Sequence, residues 1–266
     1  MKTGNFSHDG IVFHYNQVGE GKKSLVLQHG FSDFAESWGK MPDDLSKNGY
    51  QVFMMDSRGH GRSGKPDQGY DLTTLTNDLI SFTQYLKLDR PVIIGHSMGG
   101  SMCARALASH PDLFRAGVLI DPAFRDTSYD DAKNTKEKRR IELENLKKLS
   151  HFEIIEFTRK KHPNWSDIDI ESYAMSKIFL STRIVDIIFT IDKGWKEDLK
   201  DITCQTLLIT ADEERGAIVL PKTVDFIRYN YPNFSFLYVP NVGHSIHREN
   251  YSVTLKEILK FISIQF

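Results

Sequence analysis

A glycine-flanked turn at residues 95–99 constrains the fold of this chain more than any other stretch. The preceding residues, 91–94 (PVII), form a short apolar run rich in β-branched side chains, which is typical of a buried strand. A helix-favouring stretch, residues 101–109, follows the turn sequence GHSMG. Glycines two residues before and two residues after Ser97 leave room for the strand and the helix to approach each other closely. The sequence therefore predicts a strand–turn–helix unit with Ser97 at its tip.

The position of Ser97 in this turn has a chemical consequence. So tight a turn forces the serine into strained backbone angles and presents its hydroxyl at the start of the helix. Backbone N–H groups and the helix dipole favour developing negative charge at that point. The pattern G-x-S-x-G between a strand and a helix is that of a nucleophile elbow. A turn that only connects two elements is the simpler alternative.

Strand and helix patterns alternate along the first 121 residues. Residues 6–18 alternate apolar and polar side chains around an Asp-Gly turn, which predicts an antiparallel hairpin. The further predicted strands are 24–29, 51–56, 91–96, 116–121, 206–210 and 234–239. Helical patterns at about 36–48, about 73–87, 98–109 and 221–230 lie between them and imply right-handed crossovers and a mainly parallel sheet covered on both faces. A last helical pattern runs from about 251 to 263. We therefore predict an α/β fold with a mostly parallel, eight-stranded sheet flanked by helices.

The alternation stops at residue 122. From there to Asp201 the chain carries many charges, and its apolar side chains recur at helical spacing, as in Ile184, Ile187, Ile188 and Ile191. We expect three or four helices that form a lid inserted after strand six. The predicted domains are a core of residues 1–122 and 202–266 and a helical cap of residues 123–201.

Three other motifs stand in order around the Ser97 turn. Residues 25–31 (LVLQHGF) are a strand pattern that ends in His-Gly, and residues 52–63 are a second strand followed by SRGHGRS. Residues 241–244 (NVGH) lie near the C-terminus. With these motifs the chain resembles the α/β-hydrolase superfamily, in particular its small esterase, perhydrolase and lactonase-like branches. The resemblance covers nearly the whole chain except the middle segment.

The resemblance implies a base and an oxyanion site for Ser97. A serine hydroxyl is almost wholly protonated at neutral pH, so it needs a neighbouring base before it can attack a carbonyl. His244 lies in a glycine-containing loop before the last helix, where the superfamily places its histidine, and His247 is the alternative. Backbone N–H groups of Phe31 and Met98 are the implied donors to an oxyanion.

The carboxylate that would orient the histidine has more than one candidate. Asp121 ends the predicted strand 116–121, and some branches of the superfamily use that position. The commoner position follows strand seven, where Glu214 stands in place of the usual aspartate and has Arg215 beside it. Asp212 is the third candidate, so the acid stays open among these residues.

Aromatic residues of the middle segment are candidate substrate contacts. Phe124, Trp165 and Phe179, together with Tyr173, are placed to form an acyl or aromatic pocket. Each is also suited to the apolar core of the cap.

Composition narrows the functional class. A formal charge of −1 implies neither a nucleic-acid surface nor a polybasic membrane patch. The first ten residues lack the apolar run of a signal peptide, so we expect a cytoplasmic protein. The two cysteines, Cys103 and Cys204, are expected to be free thiols, and no Cys/His spacing or glycine-rich loop indicates a metal or a phosphate cofactor.

These features together favour a cofactor-free serine hydrolase that cleaves a small carboxylic ester or lactone, as a monomer or a homodimer. Perhydrolase, C–C bond hydrolase and aminopeptidase activities share the same residues and stay open. Serine at the elbow argues against dehalogenase or epoxide-hydrolase chemistry, because those relatives use an aspartate there. A ligand-binding signalling protein of the same fold, with weak or single-turnover hydrolysis, is the alternative from another functional class.

Overall fold

One eight-stranded sheet runs through the chain, whose computed structural model describes all 266 residues. Its strands are β1 (Lys2–His8), β2 (Ile11–Val18), β3 (Lys23–Gln28), β4 (Tyr50–Met55), β5 (Val92–His96), β6 (Ala116–Ile120), β7 (Thr206–Thr210) and β8 (Phe234–Tyr238). They lie in the order β1-β2-β4-β3-β5-β6-β7-β8. The strands β1 and β2 form an antiparallel hairpin, β2 pairs antiparallel with β4, and all other pairs are parallel. The predicted α/β fold is confirmed.

The two faces of the sheet carry separate apolar cores because side chains alternate between the faces of a strand. In β3, Leu25 and Leu27 belong to one buried cluster and Val26 belongs to the other. The strand β5 repeats this alternation, with Ile94 on the first face and Ile93 on the second. A strand that is buried on both faces has to be continuously apolar, which is why these strands were readable from the sequence.

Helices cover both faces of the sheet. They are α1 (Met41–Lys47), α2 (Leu72–Tyr85), α3 (Met98–Ser109), α4 (Tyr129–Leu146), α5 (His151–Lys161), α6 (Asp167–Phe179), α7 (Trp195–Asp201), α8 (Pro221–Asn230), α9 (Ile246–Glu249) and α10 (Tyr251–Ser263). A 3₁₀ helix at Thr182–Phe189 lies between α6 and α7. None of the helices combines the length and the apolar composition that crossing a membrane requires.

The helices α4 to α7 all lie between β6 and β7, and we call residues 123–201 the cap segment. Serine side chains fix where its first three helices begin. Ser128, Ser150 and Ser166 are N-caps, and each hydroxyl accepts a hydrogen bond from the backbone N–H three residues on. Such caps stabilise a helix end by about 1 kcal/mol each.

The turn at Ser97 is strained as the sequence predicts. Ser97 has φ 54° and ψ −117°, a combination that costs a non-glycine residue about 1–3 kcal/mol. Two contacts explain the flanking glycines. A Cβ at Gly99 would overlap the backbone carbonyl oxygen of Gln28, and a Cβ at Gly95 would lie 2.6 Å from the sulfur of Cys103.

Gly99→Ala is therefore expected to destabilise the protein by about 3 kcal/mol or more, because the rigid backbone of β3 cannot move away from the new methyl group. The measurement is urea unfolding. Gly49→Ala is the control, since a Cβ there meets nothing within 4 Å and only the positive φ of 89° opposes it. That variant is expected to lose about 1–2 kcal/mol. Equal losses in the two variants would contradict the steric explanation.

Candidate active site

Ser97, His244 and Asp121 form one chain of hydrogen bonds. Ser97 Oγ lies 2.9 Å from His244 Nε2, and His244 Nδ1 lies 2.6 Å from Asp121 Oδ2. Ser97 is 7% exposed, at the wall of a cavity. A hydroxyl, an imidazole and a carboxylate in this order can move a proton from the hydroxyl to the imidazole while the carboxylate holds the ring.

The sheet places the first and third of these residues next to each other. Ser97 follows β5 directly and Asp121 follows β6 directly, so both stand at the carboxyl edge of neighbouring parallel strands. The N–H of Ser97 donates to the carbonyl oxygen of Ile120 at 2.9 Å, and the N–H of Asp121 donates to that of Ile209 at 2.9 Å. Each of these hydrogen bonds extends the pairing of two neighbouring strands by one residue, so the backbones of Ser97 and Asp121 are fixed.

Asp121 is held by more than its histidine. Its side chain is fully buried, and it accepts backbone hydrogen bonds from Ile218 at 2.8 Å and Val219 at 2.9 Å. Asp121 also has a positive φ of 44°, which turns its carboxylate out of the strand direction. Because a carboxylate that accepts several N–H bonds is fixed in orientation, the structure presents Asp121 to His244 in one defined position.

The other acid candidates do not contact His244. Glu214 lies in the exposed turn Glu213–Arg215, and its side chain makes no hydrogen bond to the histidine. Asp212 accepts hydrogen bonds from the hydroxyl of Tyr238 and from the N–H of Asn241 at 2.9 Å, so it ties two loops together. Of the three candidates that the sequence left open, Glu214 and Asp212 are therefore not in contact with the histidine, because the loop after β7 directs its backbone N–H groups, and not its acids, toward the site.

The loop that carries His244 is fixed on both sides of that residue. His96 Nε2 donates to the backbone carbonyl oxygen of His244 at 2.9 Å. Glu249 accepts from the N–H of Gly243 at 2.8 Å and from that of Ser245 at 3.2 Å. Glu249 was not among the site residues predicted from the sequence, although it stands five residues after the loop histidine.

The other histidines near the site are buried and uncharged. Burial lowers the pKa of His96 and of His60 to about 3. Burial also lowers the pKa of His29 and of His247. His247 makes no hydrogen bond to Ser97 and packs against Trp38, with ring centroids 5.2 Å apart.

Two backbone N–H groups lie beside Ser97 without a partner in regular structure. Met98 is the first residue of α3, and the first N–H groups of a helix have no acceptor within it. The N–H of Phe31 makes no hydrogen bond within the chain, and Phe31 lines the same cavity as Ser97. The peptide that carries the Phe31 N–H is held through its other end, because the carbonyl oxygen of Gly30 accepts from the N–H of Asp33 at 3.2 Å.

A cavity of about 700 Å³ opens at Ser97 between the carboxyl edge of the sheet and the cap segment. Of the aromatic residues singled out from the sequence, Trp165 and Tyr173 line it. Phe124 does not, because it is fully buried and stacks on Trp195 with ring centroids 5.3 Å apart. Phe179 does not line it either. The expectation of substrate contacts is corrected for Phe124 and Phe179: one belongs to the apolar core, and the other lies half-buried at the end of α6.

Comparison with known proteins agrees with this architecture. The sequence model of the alpha/beta hydrolase fold family matches residues 23–206. The chain therefore belongs to that family, and it is a hydrolase.

Individual relatives differ in what they act on. N-formylmaleamate deformylase of Pseudomonas putida is 27% identical over 251 residues, which cover 91% of this chain and 90% of that protein. A putative non-heme haloperoxidase of Mycobacterium phage D29 is 34% identical over 125 residues, 47% of this chain, and the match spans only 45% of that protein. The crystal structure of E-2-(acetamidomethylene)succinate hydrolase superposes with a TM-score of 0.83 and 21% identity, covering 98% of this chain and 99% of that one.

Proposed function

We propose that this protein is a serine hydrolase that cleaves a small carboxylic ester or lactone through an acyl-enzyme intermediate. The observation that carries the proposal is the unbroken hydrogen-bonded chain from Ser97 through His244 to Asp121. It opens on a cavity large enough for a small molecule.

In the proposed mechanism Ser97 Oγ attacks the acyl carbon while His244 Nε2 takes the hydroxyl proton. The negative charge on the acyl oxygen is stabilised by the N–H groups of Phe31 and Met98, each contributing about 3 kcal/mol. His244 then returns the proton to the leaving oxygen, and the alcohol departs. Water, activated by the same imidazole, attacks the acyl-enzyme and releases the acid.

Asp121 keeps His244 in the tautomer with a proton on Nδ1, so that Nε2 is free to accept. It also stabilises the imidazolium that forms during each proton transfer. The two backbone donors from Ile218 and Val219 keep the carboxylate oriented throughout the cycle.

A second candidate is hydrolysis of an acyl–nitrogen bond by the same residues. It is favoured by the relative that aligns over nine-tenths of this chain, whose name describes a deformylase of an N-formyl compound. An amide needs protonation of its leaving nitrogen, which His244 is placed to supply. Comparing turnover of an ester and an amide with the same acyl group separates the two activities.

The test of the proposal is labelling with a fluorophosphonate, followed by peptide mass spectrometry and a turnover assay with 4-nitrophenyl esters of graded acyl length. We expect one label, on Ser97, and many turnovers per protein molecule. A ligand-binding signalling protein of the same fold would give at most a single-turnover burst. Labelling of another residue with Ser97 unmodified would contradict the proposal.

A further inference from the structure

Two buried cations and one buried carboxylate lie in the wall of the Ser97 cavity. Lys177 of α6 is 2% exposed, Arg248 of α9 is 5% exposed, and both line the cavity together with Asp33. Buried charges are normally matched, because an unpaired one is costly away from water. Two cations against one anion leave a net positive charge at this wall whenever Lys177 is protonated.

Arg248 is only partly satisfied by the protein. Its Nη2 donates to Asp33 Oδ1 at 2.9 Å and to the carbonyl oxygen of Ser37 at 3.1 Å. Its guanidinium lies over the ring of Trp165, 4.7 Å from the centroid. Nε is buried with no hydrogen-bond partner, and Nη1 also makes no hydrogen bond within the chain. Since a guanidinium offers five N–H donors in a planar fork, this one keeps donors for a ligand.

Lys177 contributes a positive charge to the cavity wall, whereas its N–H donors are largely used within the protein. Its Nζ donates to the carbonyl oxygen of Ser32 and to Ser176 Oγ, and it lies 3.4 Å from the centre of the Tyr173 ring. Burial, together with the positive charges of Arg248, Lys161 and Arg139, lowers the pKa of Lys177 to about 7, although Asp33 acts in the opposite direction. The Lys177 amine therefore changes from charged to neutral as the pH rises through about 7.

This charged wall is close to the reacting serine. A Cβ built on Gly30 would lie 3.2 Å from Asp33 Oδ2 and 3.5 Å from the Cβ of Ser97, so the carboxylate and the serine both lie close to this glycine. Arg248 lies four residues after His244, on the short helix that follows the histidine loop. Ser97 and Arg248 line the same cavity, so one bound molecule can contact both.

We propose that Arg248 binds a carboxylate of the substrate, with Lys177 supplying a second positive charge behind it, so that the preferred substrates carry an anionic group a few atoms from the scissile acyl carbon. The inference rests on the proposed function, whose substrate class it narrows. The other charged residues that line the cavity also give it a positive balance. Three are basic, Arg125, Arg139 and Lys161, and two are acidic, Glu142 and Asp192.

The test uses two 4-nitrophenyl esters of similar shape, the hemisuccinate and the pentanoate. The native protein is expected to prefer the anionic ester by about 10- to 100-fold in kcat/KM, because a charge-assisted contact in a buried site is worth one to two powers of ten. Lys177→Met is expected to lower that preference about 10-fold, and Arg248→Lys to lower it at least as much, since the fork is lost. Lys160→Met is the matched control, an exposed lysine of α5 outside the cavity, and should leave the ratio unchanged.

The pH dependence of the preference for the anionic ester shows whether Lys177 acts through its charge or through the shape it gives the cavity. A lysine is charged below its pKa, so the preference for the anionic ester should be larger at pH 6 than at pH 9 in the native protein. In Lys177→Met it should be independent of pH. A protonation step that affects the reaction of both esters equally cancels in the ratio of their kcat/KM values. Asp33, Tyr173, Arg248, Lys161 and Arg139 are the charged or titratable groups that face Lys177.

Equal kcat/KM values for the two esters, or a preference that survives both substitutions in folded protein, would overturn the inference and leave the hydrolase proposal standing. Absence of turnover of both esters would instead contradict the proposed function. Calorimetric binding of glutarate needs no turnover and decides the inference in that case as well. Binding that takes up a proton at pH 8 and is lost in Arg248→Lys supports it, and no binding to the native protein contradicts it.

Discussion

Ser97→Ala is expected to lower kcat for the best 4-nitrophenyl ester by about 10⁴- to 10⁶-fold, the largest effect of any single substitution in this chain. Without Oγ no acyl-enzyme can form, and His244 with the N–H groups of Phe31 and Met98 can assist only a direct attack by water on the ester. We expect the variant to fold, because the strained φ of 54° costs alanine about as much as it costs serine. The substitution removes only the hydrogen bond to His244. Steady-state kinetics and a thermal melt of the same preparation test both parts.

Ser109→Ala serves as the control for this experiment. Ser109 ends the same helix, α3, and its exposed hydroxyl contacts only the carbonyl oxygen of Arg105 within that helix and the neighbouring ring of His110. Its kcat should stay within a factor of two of the native value. Retention of ester turnover by folded Ser97→Ala protein would show that hydrolysis takes another route.

The second large effect is expected for Asp121→Asn, with a fall in kcat of about 10⁴-fold. An asparagine amide in place of the carboxylate presents a donor to His244 Nδ1 and favours the tautomer whose Nε2 carries the proton, so the imidazole can no longer accept from Ser97. Two N–H groups, of Ile218 and Val219, would also lose an anionic acceptor. The measurement is kcat between pH 6 and 9 for a neutral ester.

Glu214→Gln is the matched comparison, since it makes the same chemical change in the loop that related enzymes use more often. Glu214 is exposed and does not contact His244, so its substitution should leave kcat within a factor of two. A larger loss from Glu214→Gln than from Asp121→Asn would reverse the assignment of the acid.

Most of the fold was predictable because its signals are local. A strand buried on both faces is a continuous apolar run, and Gly95 is required by its close approach to Gly99 and Cys103 in the helix that follows. The last helix, predicted from about 251 to 263, is α10 at Tyr251–Ser263. The predicted helix at about 36–48 is instead a 3₁₀ helix, Ala35–Trp38, followed by α1, because Gly39 adopts a positive φ of 56° between them.

The acid was not predictable from spacing. Asp121 and Glu214 each follow a strand that ends at the same edge of the sheet, so both loops could reach His244. What separates them is the path of the chain at residues 216–219, which turns two N–H groups toward Asp121. The conformation of this segment depends on tertiary packing, so no periodic pattern in the sequence indicates it.

The charged wall of the cavity was not predicted from the sequence for a related reason. Lys177 and Arg248 sit in polar stretches of helix that read as solvated faces, and sequence patterns assign charged side chains to the surface by default. Their burial follows from the cap segment closing over the loop after β3, where Lys177 meets the carbonyl oxygen of Ser32. Only the packed structure brings these two cations and Asp33 into one cavity.

The most direct test of the account is to find where the acyl group goes during turnover. The protein is mixed with a 4-nitrophenyl ester, quenched with acid during the first turnovers, and digested for peptide mass spectrometry. We expect one added acyl mass on Ser97 in native protein, and none in Ser97→Ala. Continued turnover with the acyl group on another residue, or with Ser97 never acylated, would contradict it.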